Sequence, residues 1–462
     1  MTSPGSSACS SERLTHNLEP VSPMQPKSIY LSTLGCRLNE AELEQWRRQF
    51  HLAGHHVQPG PDHADVIVLN SCAVTTEAVR KSRRRLRTLL RHSPDAQVVM
   101  TGCYASLEPD AVAGLAGVDL VVNNADKDQL VPEVIQHLSA GTAPTVLTEP
   151  QAVPMFRDAR TRAFVKVQDG CRNRCTFCIV TVARGQERSR PLADLIAEIN
   201  SLHAAGYQEV VLAGVHLGGY GSDRGCSLRD LVAAVLEQTA IPRLRLGSLE
   251  PWDLPEDFFG LWEDPRLCPH LHLPLQSGCD ETLRRMARRC PTERYRALIQ
   301  DARRAIPALN LTTDLIVGFP GETDHEFAET FAFVREIGFG HVHTFTYSPR
   351  EGTAAARMRG PVARSVKRAR SVALKSLAKT MKAQRLGQAV GAVRDVLWEH
   401  PIANEDGQIR WQGYTDHYLR TETLAPEGMR LENRITATAL MAVIDGDRLQ
   451  GVRIGPPNPA VD

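Results

Sequence analysis

Short apolar runs alternate with amphipathic stretches through the first third of the chain. From about 27 to 145 the runs SIYLSTLG, ADVIVLNS, AQVVMTG and VDLVVNN read as strands with helix-like segments between them, the signature of a parallel, doubly wound sheet. From about 160 to 355 a strand–helix unit recurs six times. Its strands are AFVKVQ, EVVLAGV, RLRLGSL, HLHLPLQ, TTDLIVGF and HVHTFTY, with helices such as LADLIAEINSLHAAG and ERYRALIQDARRAI between them. Six such units predict a partial βα barrel whose active site lies at the carboxyl ends of the strands. Beyond a charged helix, AVRDVLWE, GQIRWQGYTDHYLRTE, NRITATALMAVI and LQGVRI are broken by Gly, Asn and Asp and predict a small β-barrel. The first 26 residues are rich in Ser and Pro and lack both a basic start and an apolar core, which predicts a disordered tail and not a secretory signal. The expected architecture is α/β. A tail (1–26) precedes a doubly wound parallel-sheet domain (27–145), a partial (βα)6 barrel with a basic helical linker (155–385) and a small β-barrel (387–455).

Three cysteines fall just after three of the first strands: Cys36 in LGCRLNE, Cys72 in LNSCAVT and Cys103 in TGCYAS. Parallel strands end on one edge of the sheet, where open α/β sheets bind ligands, so the three thiols are expected at one crevice. Gly35 and Gly102 would let the backbone turn closely around a bulky ligand. The competing reading is three buried core cysteines. At the barrel's strand ends lie Gly214 in LAGVHLGGYG, Ser248 and Glu250 in LGSLEPWDL, Gln276 and Ser277 in LPLQSG, and Gly318 in VGFPGET. Their shared position raises signals that are weak singly.

The sharpest chemistry follows the first barrel strand. Cys171, Cys175 and Cys178 in DGCRNRCTFCI form a C-x3-C-x2-C triplet, able to hold three irons of a [4Fe-4S] cluster and leave the fourth without a protein ligand. An open iron is a place for chemistry. The rival is a zinc knuckle or a set of buried thiols, but zinc takes four ligands, often in paired C-x2-C units, and no fourth Cys or His lies close by. Cys226, Cys268, Cys279 and Cys290 have no metal-like spacing and read as structural. His270 and His272, like His341 and His343, alternate along strands and share a face; satisfaction by hydrogen bonds is the simpler reading, metal ligation the other.

Composition adds limits. A chain of 462 residues with 42% hydrophobic content suits about three globular domains. The odd total of 11 scattered cysteines fits a reducing cytoplasm better than a disulfide scaffold. No apolar stretch reaches the roughly 18 residues of a membrane helix, so no membrane partner is expected. The net charge of +1 conceals two basic blocks. Between Gly352 and Arg394 stand eleven Lys or Arg and no acid, and VRKSRRRLRTLLR places Arg80, Lys81, Arg83, Arg84, Arg85, Arg87 and Arg91 on one helix. Such blocks favour an anionic partner such as nucleic acid, against the alternative of solvated helix faces. Trp398, Trp411, Tyr414 and Tyr418 could stack on bases or form the core of the last barrel.

With both cysteine sets in view, the chain resembles the radical S-adenosylmethionine (SAM) methylthiotransferases from about 27 to 455. The motifs are LGCRLNEAE, NSCAVT, TGCYA, CRNRCTFCIVTVARGQERSRP, SLEPWDL, LHLPLQSG, DLIVGFPGET and FTYSPREGTAA, and the last segment is similar to a TRAM domain. The resemblance implies that Cys36, Cys72 and Cys103 bind an auxiliary [4Fe-4S] cluster, and that Cys171, Cys175 and Cys178, with Phe177 before the last of them, bind the cluster that cleaves SAM. It implies two SAM molecules per product. One methylates a sulfur species; the other yields the deoxyadenosyl radical that takes hydrogen from an unactivated C–H bond. Gly214, Ser248, Glu250, Gln276 and Gly318 are then expected near SAM. Family branches act on N6-isopentenyladenosine or N6-threonylcarbamoyladenosine in tRNA, or on an aspartate of a ribosomal protein. NSCAVT, SLEPWDL and FTYSPREGTAA are most similar to the threonylcarbamoyladenosine branch, although Ser71 stands where that branch commonly has Thr. A tRNA substrate, a reducing electron donor and a sulfur donor are the implied partners. Two other classes remain as alternatives: an iron-sulfur scaffold or electron carrier, which SAM cleavage under reducing conditions would exclude, and an RNA-binding module built on structural zinc.

Overall fold

The computed structural model of the protein describes residues 25–138, 161–405 and 408–454. The expected tail lies outside them except for its last two residues. Five parallel strands open the fold: β1 (Ser28–Thr33), β2 (His56–Gln58), β3 (Val66–Ser71), β4 (Gln97–Gly102) and β5 (Leu120–Val122), in the order β2-β1-β3-β4-β5. Helices cover both faces, as doubly wound topology requires. Trp46 and Phe50 of α1 (Arg37–Leu52) pack with Leu130 and Val134 against Ile29, Val66 and Val68. On the other face Leu86 and Leu89 of α2 (Thr76–His92) pack on Ile67, Leu69 and Met100. Edge strand β2 is absent from the sequence reading, since HVQ is too short and polar to stand out from a loop.

All six expected barrel strands form: β6 (Arg162–Asp169), then, after the short antiparallel β7 (Arg188–Ser189), β8 (Glu209–Gly214), β9 (Arg243–Leu246), β10 (His270–His272), β11 (Asn310–Val317) and β12 (His341–Thr346). They run as β7-β6-β8-β9 and β10-β11-β12, joined by the parallel bridges Leu244 to Leu267 and Ser248 to His272. Among the described residues β6 and β12 do not pair, so the barrel stays open on that side. Alternation sorts the residues of each strand between two faces. Ala163, Val165, Val167, Val210, Leu212, Leu271, Leu311, Leu315 and Val342 pack outward against helices. The opposite face, which lines the lumen, carries Phe164, Lys166, Gln168, Val211, His272, Asp314 and His343. Helix α1 enters this lumen, with Leu38 and Ala41 on Phe164, Val211 and Ala213.

The last strands, β13 (Val393–Glu405), β14 (Gln408–Thr415), β15 (Arg420–Pro426), β16 (Ile435–Ile444) and β17 (Arg448–Arg453), close into a barrel in the order β13-β14-β15-β17-β16. The run GQIRWQGYTDHYLRTE is two strands. Tyr418, at φ +63°, makes the turn between them. Trp398 and Trp411 are buried in this barrel's core. Tyr414 and Tyr418 stack on each other with centroids 4.9 Å apart, and Tyr418 also packs against the guanidinium groups of Arg162 and Arg245 at 5.2 and 4.8 Å. All four aromatics are therefore used in packing. Arg243 donates to the Asp395 carbonyl (2.6 Å) and Asn310 to that of His417 (2.8 Å), which seats the small barrel under the amino ends of the large barrel's strands. No helix among the described residues is long and apolar enough to cross a membrane.

Candidate active site

The C-x3-C-x2-C loop leaves β6 through Gly170, whose φ is +73° and where a Cβ would come 1.8 Å from the Gln186 carbonyl. Only glycine can turn there. Later loops then pin the cysteines. The Thr176 amide donates to Met286 O (3.0 Å), its hydroxyl to Arg285 O (2.8 Å), and its carbonyl accepts from the Ala355 amide (2.8 Å). The sulfurs of Cys171 and Cys178 accept backbone N–H groups from Asn173 and Val180, each at 3.4 Å. Burial pushes the Cys178 thiol up to about 12 and that of Cys171 to about 11, and the neighbouring thiolates add to the effect. Three crowded thiols that resist ionisation together, with N–H groups aimed at sulfur, suit a cationic metal cluster that takes the place of their protons.

The structure draws Glu250 into this group. Arg288 bridges it: Nη2 donates to Glu250 Oε2 and to Pro274 O (both 2.6 Å), and Nη1 reaches Cys175 Sγ at 3.8 Å. Phe177 packs with Met286, Phe319, Tyr347 and Ala355. Gly214 lies against the Gln168 side chain, whose Oε1 accepts the His216 amide (2.9 Å). Ser248 is exposed beside the mouth. Gln276, at φ +71°, exchanges backbone bonds with Asp314 and Ile316. The Gly318 amide donates to the Glu322 carboxylate (3.1 Å), and a Cβ there would meet Lys367. Behind the triplet, the His216 ring sits between Glu187 and Asp253, each at 2.5 Å. Burial pulls its pKa down, but the hydrogen bonds the ring donates to the two carboxylates prevail and hold it above the ordinary value.

Cys36, Cys72 and Cys103 meet at the carboxyl edge of the first sheet as the topology requires. A Cβ on Gly35 would lie 3.0 Å from Cys72 Sγ, and one on Gly102 2.2 Å from Ser71 O. Cys72 and Cys103 are buried, and Cys36 is exposed. Burial raises the Cys72 pKa, and the charges of Cys103 and Cys36 raise it further. Three thiols gathered at one sheet edge, with the Asn124 amide directed at Cys103 Sγ (3.8 Å), make a set that could ligate a metal cluster.

Between the trios lies a buried network that sequence reasoning missed. Glu42 of α1 receives Lys127 Nζ (2.5 Å) and Arg184 Nη1 (2.9 Å), with Lys166 Nζ at 3.5 Å. Asp169, two residues before Cys171, receives Lys166 (2.8 Å) and the same Arg184 Nη1 (2.9 Å). Arg184 Nη2 also donates to Asn39 Oδ1 (2.7 Å). Burial opposes ionisation of Glu42, but Arg184, Lys127 and Lys166 outweigh it and hold the carboxyl well below the usual range. The one available signal was a lysine inside the apolar run AFVKVQ; of its partners, Asp169 is three residues on, whereas Glu42 and Asp128 come from distant segments.

Comparison with known proteins now bears on this geometry. Residues 165–334 match the model of the Radical SAM superfamily, and residues 28–123 that of the uncharacterized protein family UPF0004. The threonylcarbamoyladenosine tRNA methylthiotransferase MtaB of Thermotoga maritima is 36% identical over 405 residues, 86% of this chain and 91% of that protein. The chain belongs to the radical SAM methylthiotransferases. MtaB of Bacillus subtilis is 34% identical, with 87% of this chain and 91% of that one aligned. The tRNA-2-methylthio-N(6)-dimethylallyladenosine synthase of Bacillus subtilis is also 34% identical, over 84% and 79%. In fold, this methylthiotransferase is similar to the radical SAM methyltransferase TsrM from Kitasatospora setae, with a TM-score of 0.56, 15% identity and coverage of 72% of this chain and 77% of that one. A [4Fe-4S] cluster and SAM come with the superfamily, and the crowded thiols after β6 fit that cluster.

Proposed function

We propose that this enzyme transfers a methylthio group to C2 of N6-threonylcarbamoyladenosine beside the anticodon of tRNA. Cys171, Cys175 and Cys178 would hold the SAM-cleaving cluster and Cys36, Cys72 and Cys103 an auxiliary one, with two SAM molecules used per product. The observation that carries this reading is the junction between the trios: Glu42, Arg184 and Asp169 fasten α1, which starts at Cys36, to the strand end that precedes Cys171. Sulfur at one site can reach a carbon activated at the other only if both share one enclosed space. When bound, the clusters and SAM supply the radical and sulfur chemistry that no side chain can perform. The chain's own residues orient and exclude water. Arg288 holds Glu250 at the triplet, Phe177 closes its apolar side, Gly214, Ser248 and Gln276 border the mouth, and Gly318 supports the wall behind it. A reducing electron donor and a sulfur donor belong to the same reading.

An RNA partner is supported by the helix Arg364–Ala389. Arg370, Lys382 and Arg385 are used internally, with Glu322, Asp447 and the Ala308 carbonyl. Arg364, Arg368, Lys375 and Lys379 are exposed and fall within about 60° of one another at 100° per residue, a cationic stripe suited to phosphates.

Sequence identity barely separates the two classes of adenosine-modifying relative. The lumen separates them better. Its open part presents the polar groups of His272, Asp314 and His343, which a dimethylallyl group would strip of water without replacing their hydrogen bonds. A threonylcarbamoyl group brings a carboxylate, a hydroxyl and amides. Mass spectrometry of tRNA nucleosides from a strain lacking the gene tests the proposal. Loss of the 2-methylthio derivative with accumulation of N6-threonylcarbamoyladenosine, reversed by complementation, is expected; an unchanged profile would refute it.

A further inference from the structure

Among the described residues, one lumen cation keeps most of its guanidinium free of the fold's own hydrogen bonds. Arg162 is paired with Glu399, Arg245 with Glu209, and Lys166 with Asp169. Arg37, the residue after Cys36, makes its one ion pair among the described residues with Glu40, one turn along its own helix, through Nη1 at 2.9 Å. Its side chain is 59% exposed, yet its guanidinium carbon lies 5.4 Å from the centroid of the Phe164 ring, on the lumen face of β6. It therefore stands in open space inside the molecule and not on the outer surface. Its charge is felt by His343 on the facing wall, and it feels Tyr418 and Arg162 below.

The placement breaks a local rule. Arg37 is the first residue of the 16-residue helix α1, where the positive end of the macrodipole disfavours a cation and favours an anion. A local preference is commonly violated where function requires it. Helix end and guanidinium together form a positive pole at the sulfur-bearing edge of the lumen. Opposite it, the His272 ring is fixed through Nδ1 by the Thr312 hydroxyl (2.9 Å), and Asp314 Oδ1 lies 3.4 Å from its Nε2.

We propose that Arg37 is a specificity-determining residue that binds the carboxylate of the substrate's threonyl group, with His343 across the lumen as a further hydrogen-bond donor. This rests on the threonylcarbamoyladenosine reading and adds to it the residue that recognises the anionic end. A planar guanidinium matches a carboxylate through two parallel bonds, and Phe164 keeps its plane in register. An uncharged group at the same N6 position would desolvate the guanidinium and leave the N–H groups not used by Glu40 without an acceptor.

The test uses the holoenzyme and two tRNAs, one carrying N6-threonylcarbamoyladenosine and one in which the threonyl carboxylate is capped as a methyl amide. Wild-type kcat/KM should favour the carboxylate tRNA by roughly 100-fold or more, mainly through KM, as expected for a desolvated charge pair. Arg37→Gln should remove that preference by slowing the first tRNA alone, and Arg37→Lys should restore part of it. Equal rates of the wild type on both tRNAs, or an equal loss on both in Arg37→Gln, would overturn the inference. The wild-type comparison stands even if a variant loses iron. If the wild type instead modified dimethylallyladenosine tRNA and ignored both of these, the underlying substrate reading would fall, and the inference with it.

Discussion

The two cysteine trios are assembled by opposite routes. Cys171, Cys175 and Cys178 occupy one short loop, and local backbone donors set their sulfurs. Cys36, Cys72 and Cys103 come from three separate loops and meet only because β1, β3 and β4 are parallel neighbours. Their electrostatic surroundings also differ. Arg184 feels the charges of Cys103 and Cys36, and Lys127 that of Cys103. Cys171 and Cys178 instead feel the Glu250 carboxylate, and Cys171 that of Glu187 as well. A positive surround favours anionic sulfur. The surround of the triplet is mixed: the Arg288 guanidinium, 3.8 Å from Cys175 Sγ, stands beside those carboxylates. The two trios thus sit in different charge environments.

Cutting one trio at a time breaks the comparison most directly. Cys175→Ala should reduce 5'-deoxyadenosine formation to background, whereas Cys72→Ala should keep it and abolish methylthiolation, as read by chromatography of SAM products and tRNA nucleosides. Each variant should lose about half of the iron if each trio holds one tetranuclear cluster. If both cleaved SAM normally, the triplet assignment would be wrong.

Removing the link comes next. Arg184→Met leaves Glu42 and Asp169 short of a cation in a fully buried site, and loss of one partner from such a network costs about 3–5 kcal/mol. Anaerobic denaturant unfolding should show this. Because the two carboxylates share Arg184, adding Glu42→Gln to Arg184→Met should destabilise by less than the sum of the single changes. Strict additivity would mean that the trios are fastened independently.

Legibility followed the same divide. The triplet could be read from spacing because its geometry is local, and the first trio from topology because parallel strands end together. The junction could not be read: Glu42, Lys127, Lys166, Asp169 and Arg184 sit in segments whose contacts arise only when α1 enters the barrel lumen. Gly318 shares a strand end with the mouth, but its neighbour Lys367 comes from a helix far along the chain and could not be read from the strand pattern. Edge strand β2 and the break at Tyr418 were missed for want of apolar contrast and of a glycine at a left-handed turn.

Two glycines sharpen the contrast at smaller cost. Gly170→Ala would force a Cβ into the Gln186 carbonyl, an unyielding backbone atom, and should cost about 1–3 kcal/mol while displacing the triplet. Gly35→Ala meets the Cys72 thiol, at 3.0 Å, and should disturb only the first trio. Iron content and SAM cleavage should accordingly fall together in Gly170→Ala and separate in Gly35→Ala. A loss of cleavage in both would mean that the trios are not independently built.

The smallest effect is in pH, and it distinguishes the regions by sign. At the junction Asp169 is held at about 2: burial alone would raise it, but Arg184 and Lys166 prevail. Its folded pKa lies below its unfolded one, so its contribution to stability is present above the ordinary carboxylate range near 4 and disappears as pH falls toward 2. His216, behind the triplet, is held above its ordinary 6.5. Its contribution is complete below that value and is lost as pH rises through the folded pKa. The anaerobic unfolding midpoint should therefore decline on both sides of a plateau. Asp169→Asn should flatten only the acid limb and His216→Gln only the alkaline one. If either variant flattened both limbs, the two charge environments would be one coupled system, and the separation drawn between the trios would not hold.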